Sequence, residues 1–239
     1  MKFALVFAAT AAALSMASVA SATTLYSNNF DAENGGATAL NYTGFSGLTV
    51  TGGTVDVVKS GDFGIACAGG SGSCVDLDGS TRTDGTITTG FYSFNAGERV
   101  TFSFDLSGNQ RLGGSDDFSA GFSFGAATLL STYDLGGTWG PATVFTNVTT
   151  SSVNTSSSLS GNAFRNYSIS FQAGQSGTVS AHLSSINSND NVGAVADNLV
   201  LDLAGRGGVP EPATWGMMII GFGAAGSMIR RRKAALTAA

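Results

Sequence analysis

Chemistry in this 239-residue chain must be built from one histidine (His182), two cysteines (Cys67 and Cys74) and sixteen acidic residues. His182 lies in the alternating run Val179, Ala181, Leu183, so it points away from the apolar face, towards solvent or a polar groove. No nucleophile motif accompanies it: the sequence holds no G-x-S-x-G, no H-E-x-x-H and no Gly-rich phosphate loop ending in Lys. Two carboxylates flanking a glycosidic bond would suffice for hydrolysis, but spacing singles out no pair. Asp62, Asp78, Asp84 and Asp116 stand beside Gly or Ser, where Asx-turn hydrogen bonding accounts for them. A hard cation is the better match, because calcium takes about six to eight oxygens from carboxylates, amides and carbonyls. Asp76 and Asp78 form a D-x-D pair, and Gly79 after them permits a tight turn. Sugar recognition asks instead for an exposed aromatic ring. Trp139 lies in the turn-rich stretch Tyr133-Asp134-Leu135-Gly136-Gly137-Thr138-Trp139-Gly140-Pro141, where an indole either presents its face to a sugar or caps the core.

The elements that position these groups begin after an export signal. Met1-Lys2 is a short positive n-region, Phe3 to Ala20 is apolar, and Ala20-Ser21-Ala22 is a small-residue cleavage site, so residues 1–22 read as a signal peptide. An exported chain meets an oxidising compartment, and Cys67 and Cys74, separated by Ala-Gly-Gly-Ser-Gly-Ser, are expected to form a disulfide worth about 2 kcal/mol. Residues 23–209 carry six cations and fifteen acids, a net charge of −9 against −5 for the whole chain. That balance argues against nucleic acid as a partner. It suits calcium or a neutral polysaccharide.

Alternation dominates the same stretch. Val100, Phe102, Phe104 and Leu106 share one face, as do Phe118, Ala120, Phe122 and Phe124. Tyr167, Ile169 and Phe171 repeat the pattern, then Val179, Ala181 and Leu183, then Leu199, Leu201 and Leu203. Further strands are expected over 24–30, 48–58, 74–77 and 87–94, with turns at Gly108-Asn109, Gly113-Gly114 and Asn187 to Asn191. The Ser/Thr-rich stretch Pro141 to Gly161 reads as a long loop or a weak edge strand. Nine or ten strands of this kind predict an all-β fold, an antiparallel β-sandwich of jelly-roll type over 23–207.

The tail has three parts in order. Val209-Pro210-Glu211-Pro212 is a stiff, extended handle, since two prolines fix φ and remove two donors. Residues 213–229 are uncharged, with Trp215 placed as an interfacial anchor, and form a single short transmembrane helix. Arg230, Arg231, Arg232 and Lys233 then hold the cytoplasmic side. Segment 208–233 resembles the PEP-CTERM sorting signal of Gram-negative bacteria. The resemblance implies that an exosortase, a membrane Cys protease-transpeptidase, recognises Pro210-Glu211-Pro212 and removes the apolar tail. The inner membrane is then a transient station on the way to the cell surface, a biofilm matrix or the medium.

Two passages resemble the jelly-roll domains found on many PEP-CTERM proteins: Cys74-Val75-Asp76-Leu77-Asp78-Gly79-Ser80 with the strand at Val100 and Gly108-Asn109-Gln110-Arg111, and Gly193-Ala194-Val195-Ala196-Asp197-Asn198-Leu199, which is similar to the closing strand of carbohydrate-binding jelly rolls. In that family a structural calcium joins an acid near the first strand to an Asp in the last. The resemblance therefore implies Asp31, Glu33 and Asp197 as calcium ligands, and the D-x-D pair Asp76 and Asp78 stands beside them as a second candidate. Taken together, the sequence describes an exported, non-catalytic surface or matrix protein that binds exopolysaccharide. The alternatives are a secreted glycan hydrolase on the same scaffold and, less well matched for want of a regular Thr-x-Thr ladder, an ice-binding protein.

Overall fold

Alternating sequences can bury one face only if two sheet faces meet, and the computed structural model of this chain shows how they do. It describes residues 22–111, 115–187, 190–205 and 220–222. Twelve strands are present among them. They are β1 (Ala22–Asn28), β2 (Leu48–Gly52), β3 (Asp56–Lys59), β4 (Ser73–Asp76), β5 (Gly85–Thr89), β6 (Tyr92–Phe94), β7 (Arg99–Ser107), β8 (Ser115–Gly137), β9 (Ala142–Ser160), β10 (Arg165–Ala173), β11 (Gly177–Ile186) and β12 (Val195–Ala204). All pairings are antiparallel, in the order β2-β5-β11-β8-β10-β7-β12-β4-β3, with β1 on β12, β6 on β11 and β9 on β8.

The long strand β8 makes this one curled sheet. Residues Asp117 to Phe124 pair with β11, whereas Leu130 to Gly137 pair with β10. Strand β9 follows β8 along both halves, with a register break between Ser123 and Thr128. A strand that changes partner at such an irregularity turns the corner of a sandwich. One limb is β2-β5-β11 with the first half of β8, and the other is β3-β4-β12-β7-β10 with its second half. Their inner faces meet through aromatic rings. Phe104 of β7 lies 6.3 Å from Phe118 of β8, Phe118 lies 5.2 Å from Tyr167 of β10, and Phe94 of β6 lies 5.3 Å from Phe171 of β10. Every apolar residue named above in the four runs from Val100 to Leu183 is buried there, as are Leu199 and Leu201. The predicted all-β sandwich is the fold observed.

The first and last strands are neighbours, from Ala22 opposite Ala204 to Asn28 opposite Leu199. The predicted strand 48–58 divides into β2 and β3 on different limbs, and 87–94 is shared by β5 and β6. Pro141 to Gly161 is an edge strand, β9, rather than a loop: nineteen residues on β8, with Val153 and Leu159 buried. The predicted signal peptide lies outside the described residues except for Ala22, which opens β1. Pro210, Glu211, Pro212, Trp215, Arg230, Arg231 and Arg232 also lie outside them. Among the described residues no helix is long and apolar enough to cross a membrane, and the segment 213–229 predicted to do so falls outside them apart from the helical turn at 220–222.

Candidate functional site

Carboxylates placed near a shared loop are the first arrangement the fold creates. Cys67 and Cys74 form the predicted disulfide, with Cα atoms 5.4 Å apart. The loop they close is held from two sides. Asp197, at the start of β12, accepts the Ala68 amide at 3.1 Å, and Asp31, just after β1, accepts the Ser73 amide at 2.8 Å. Gly72 is required by this contact: its φ is +74°, and a Cβ there would sit 1.8 Å from Asp31 Oδ1. Burial pushes the Asp197 carboxyl up to about 6, against the pull of the Asn198 and Ala68 amides and with the Asp31 and Asp105 charges adding to the rise.

The four acids predicted for calcium thus separate. Asp31 and Asp197 act on each other but spend oxygens on loop amides. Glu33 accepts from Asn28 Nδ2 at 2.7 Å and from the Ser46 amide at 3.1 Å. Asp76 accepts the Asp78 amide at 3.1 Å and the Gly193 amide at 3.0 Å. Among the described residues no three His, Cys, Asp or Glu side chains stand at metal-ligand spacing.

A second carboxylate group lies at the end of the sandwich where β4, β8 and β11 finish or begin. Asp76 is 2% exposed, and burial pushes its carboxyl up to about 7, helped by the charges of Asp78 and Asp56. Asp116 also rises to about 7, from burial first and then from Asp78 and Asp190. Its neighbour Asp117, on the outward face, moves the other way because Ser158 and Asn187 donate to it. Among the described residues the single ion pair is Arg99 with Asp134, at 2.7 Å. The turn assignment is corrected for Asp116 alone. Asp78 does lie in a turn, wholly buried, whereas Asp116 lies within β8, two residues before the core-facing Phe118.

A stability consequence follows for Asp76. Its folded pKa lies above its unfolded value, so between the two the folded state binds more protons. Its contribution is complete below the unfolded pKa near 3.8 and is lost as pH rises through about 7. Urea unfolding in EDTA should show the domain roughly 2 kcal/mol less stable at pH 7.5 than at pH 5 on this account. Asp76→Asn, which keeps an acceptor for both amides, should flatten that difference, and an unchanged pH slope would refute the assignment.

His182 and Trp139 take structural places. His182 Nε2 lies 2.7 Å from Asn154 Oδ1, across Gly121 of the strand between them. Burial lowers the His182 pKa. A Cβ at Gly121 would lie 2.2 Å from Asn154 Oδ1 and 2.7 Å from His182 Nε2, so the pair depends on that glycine. Trp139 is half-buried and closes the end of the core, stacking on Phe118 at 5.8 Å and meeting Tyr167 at 5.0 Å and Phe104 at 6.2 Å. Of the two placements left open by its sequence, the structure takes the cap.

Exposed rings lie elsewhere, Phe63 and Phe91 among them. Phe63, 53% exposed, sits between β3 and the disulfide loop at a φ of +53°. The Arg111 guanidinium carbon lies 6.0 Å from its ring centroid. Gln110 donates to the Ala66 carbonyl at 2.9 Å and accepts the Ala66 amide at 2.8 Å, tying the two loops together. Sequence reading passed over Phe63 because it lies outside every alternating run. Its flanking glycines, Gly61 and Gly64, were the available signal.

No curated protein sequence matches the chain. Among solved structures, the chain is similar to the xylan-binding CBM22-1 domain of Paenibacillus barcinonensis Xyn10C, at 14% identity and a TM-score of 0.42, over 76% of this chain and 95% of that one. It is similar to TmCBM61, solved with β-1,4-galactotriose, at 16% identity and a TM-score of 0.42, over 66% and 90%. The enzymatically active domain of bacteriophage CBA120 tailspike protein 4 is similar at 13% identity and a TM-score of 0.39; the match takes in 68% of this chain and spans 20% of that one. In the tail, residues 208–233 match a family model, and the chain carries there a PEP-CTERM protein-sorting motif.

Proposed function

We propose that this is an exported, non-catalytic surface or matrix protein, sorted by an exosortase through residues 208–233, whose sandwich binds a neutral exopolysaccharide at Phe63 and Arg111. The observation that carries the glycan part is the Phe63 ring. A bulky residue in the left-handed region costs on the order of 1 kcal/mol or more. Here the cost is met by a loop that over-determines the backbone: Gly61 donates to Ile65, Ile65 donates back to Asp62, and the Ile65 side chain is buried. The strain keeps an apolar ring in water with the Arg111 guanidinium 6.0 Å from its centroid, a face to stack on a pyranose and a donor for its hydroxyls. The net charge of −9 over residues 23–209 favours a neutral glycan over a polyanion.

Retention on insoluble polysaccharides, followed by a reducing-sugar measurement, tests this. Retention without sugar release is expected, and release would favour a hydrolase. Phe63→Asn is the informative variant, because Asn tolerates the left-handed region. It should lose about tenfold in affinity, equivalent to about 1.4 kcal/mol, while melting no lower than the parent. Equal retention by this variant would rule out the Phe63 platform.

A further inference from the structure

We propose that the cleft between the start of β8 and the end of β11 binds a hard divalent cation of the calcium class, through the carboxylates of Asp116 and Asp190 and the hydroxyl of Ser185. The cleft has a volume of about 270 Å³, and these three residues line it with Asp117 and Asn187 among others. Two of the donors are continuations of core runs. Asp116 precedes Phe118 by two positions and Ser185 follows Leu183 by two, so strand alternation turns both towards the interior just where the apolar core ends.

Acidic groups at a sandwich end would not by themselves make a site, but Ser185 adds an independent sign. It is 1% exposed, and its Oγ has no hydrogen-bond partner among the described residues. The same holds for Asp116 Oδ2, which is itself buried. A buried hydroxyl and a buried carboxylate oxygen at one cleft, both open to a ligand, are rare in folded proteins. The charges acting on Asp116 are those of Asp78, Asp190 and Asp117, all of its own sign. Asp78 is fixed behind it, so close to Gly193 that a Cβ there would lie 2.4 Å from Asp78 Cγ. Asp190 is held on its loop by the Val192 amide, which donates to Oδ1 at 2.9 Å. The loop is held in turn by Asn109 Nδ2, donating to the Val192 carbonyl at 3.1 Å.

A divalent cation answers this arrangement better than a proton does, because it neutralises two carboxylates at once and also takes the hydroxyl oxygen. Two carboxylates and a hydroxyl, completed by water, make an all-oxygen set that suits calcium rather than zinc, which favours Cys and His ligands. The cleft leaves room for the waters. This centre is distinct from the Asp31–Asp197 pair, whose oxygens serve the disulfide loop.

The test is calorimetric titration of the full-length chain, purified in detergent and stripped with EDTA, using calcium chloride alone. Saturable binding and a higher melting temperature in calcium are expected. Asp116→Asn and Asp190→Asn should each weaken calcium binding tenfold or more, whereas Asp31→Asn should leave it unchanged. Asp116→Asn should melt no lower than the parent in EDTA, because it removes repulsion, and that result separates lost binding from lost folding. Absence of saturable binding would overturn the proposal. So would unchanged affinity in both variants, or a comparable loss in Asp31→Asn, which would move the ion to the other pair.

Discussion

Phe118→Ala should destabilise the domain by about 4 kcal/mol, within the range of about 3–5 kcal/mol for emptying an aromatic core position. Phe118 has no exposed surface and lies on the half of β8 that belongs to the β11 limb. Its contacts are with the other limb and with the cap: Phe104 at 6.3 Å, Tyr167 at 5.2 Å and Trp139 at 5.8 Å. The void would therefore open between two sheets rather than within one. Neither backbone ladder can close it without shifting the whole limb, so little of the cavity should collapse. Against a typical total of about 5–15 kcal/mol, the loss removes a large share of the stability. Urea unfolding followed by circular dichroism, with Phe145→Ala on the exposed edge strand as comparison, provides the measurement. A loss under about 1.5 kcal/mol would show that the two limbs do not depend on this ring.

The same ring explains why most of the fold was legible. Where one face of a strand is buried, each position reports its environment with period two, and β7, β8, β10, β11 and β12 each carry at least three such positions. Strand β9 was harder to read. As the outer strand on β8, it buries Val153 and Leu159 while most of its other residues are exposed Ser and Thr, so its pairing is a matter of backbone hydrogen bonds that leave little trace in composition. The corner in β8 was invisible for a related reason. Gly125, Ala126 and Ala127 are small and exposed, and only the change of partner, a long-range event, marks the bend.

The candidate sites divide along the same line. Extending the apolar register by two places would have put Asp116 and Ser185 on the interior face. Local composition, a Ser-Asp-Asp run, suggested a turn for Asp116 instead, and nothing in it singled out Ser185. The disulfide needed only seven residues of separation and an export signal. The docking of Asp31 and Asp197 on its loop needed the pairing of first and last strands; family resemblance linked the two acids only as calcium ligands, not as acceptors for that loop. Phe63 could not be placed, because its exposure depends on a positive φ that no periodicity encodes.

Replacing both Pro210 and Pro212 by Ala should abolish tail processing, so that full-length protein accumulates in the inner membrane fraction and the shortened form disappears from the surface and medium. Each proline fixes φ near −65° and removes one amide donor, which disfavours both helix and sheet pairing at those positions. A processing enzyme must lay such a stretch extended across its site, and the prolines meet that conformational cost in advance. Alanines would return both donors and lift the conformational restriction on either side of Glu211. The cationic group at 230–233 is untouched by this change, so the segment should still stop in the bilayer. Arrest and cleavage are therefore separable. Immunoblots of fractionated cells should show a membrane-held precursor for the double variant and a processed form for the parent. Normal processing of the variant would mean that the Pro-Glu-Pro handle is not what the enzyme reads.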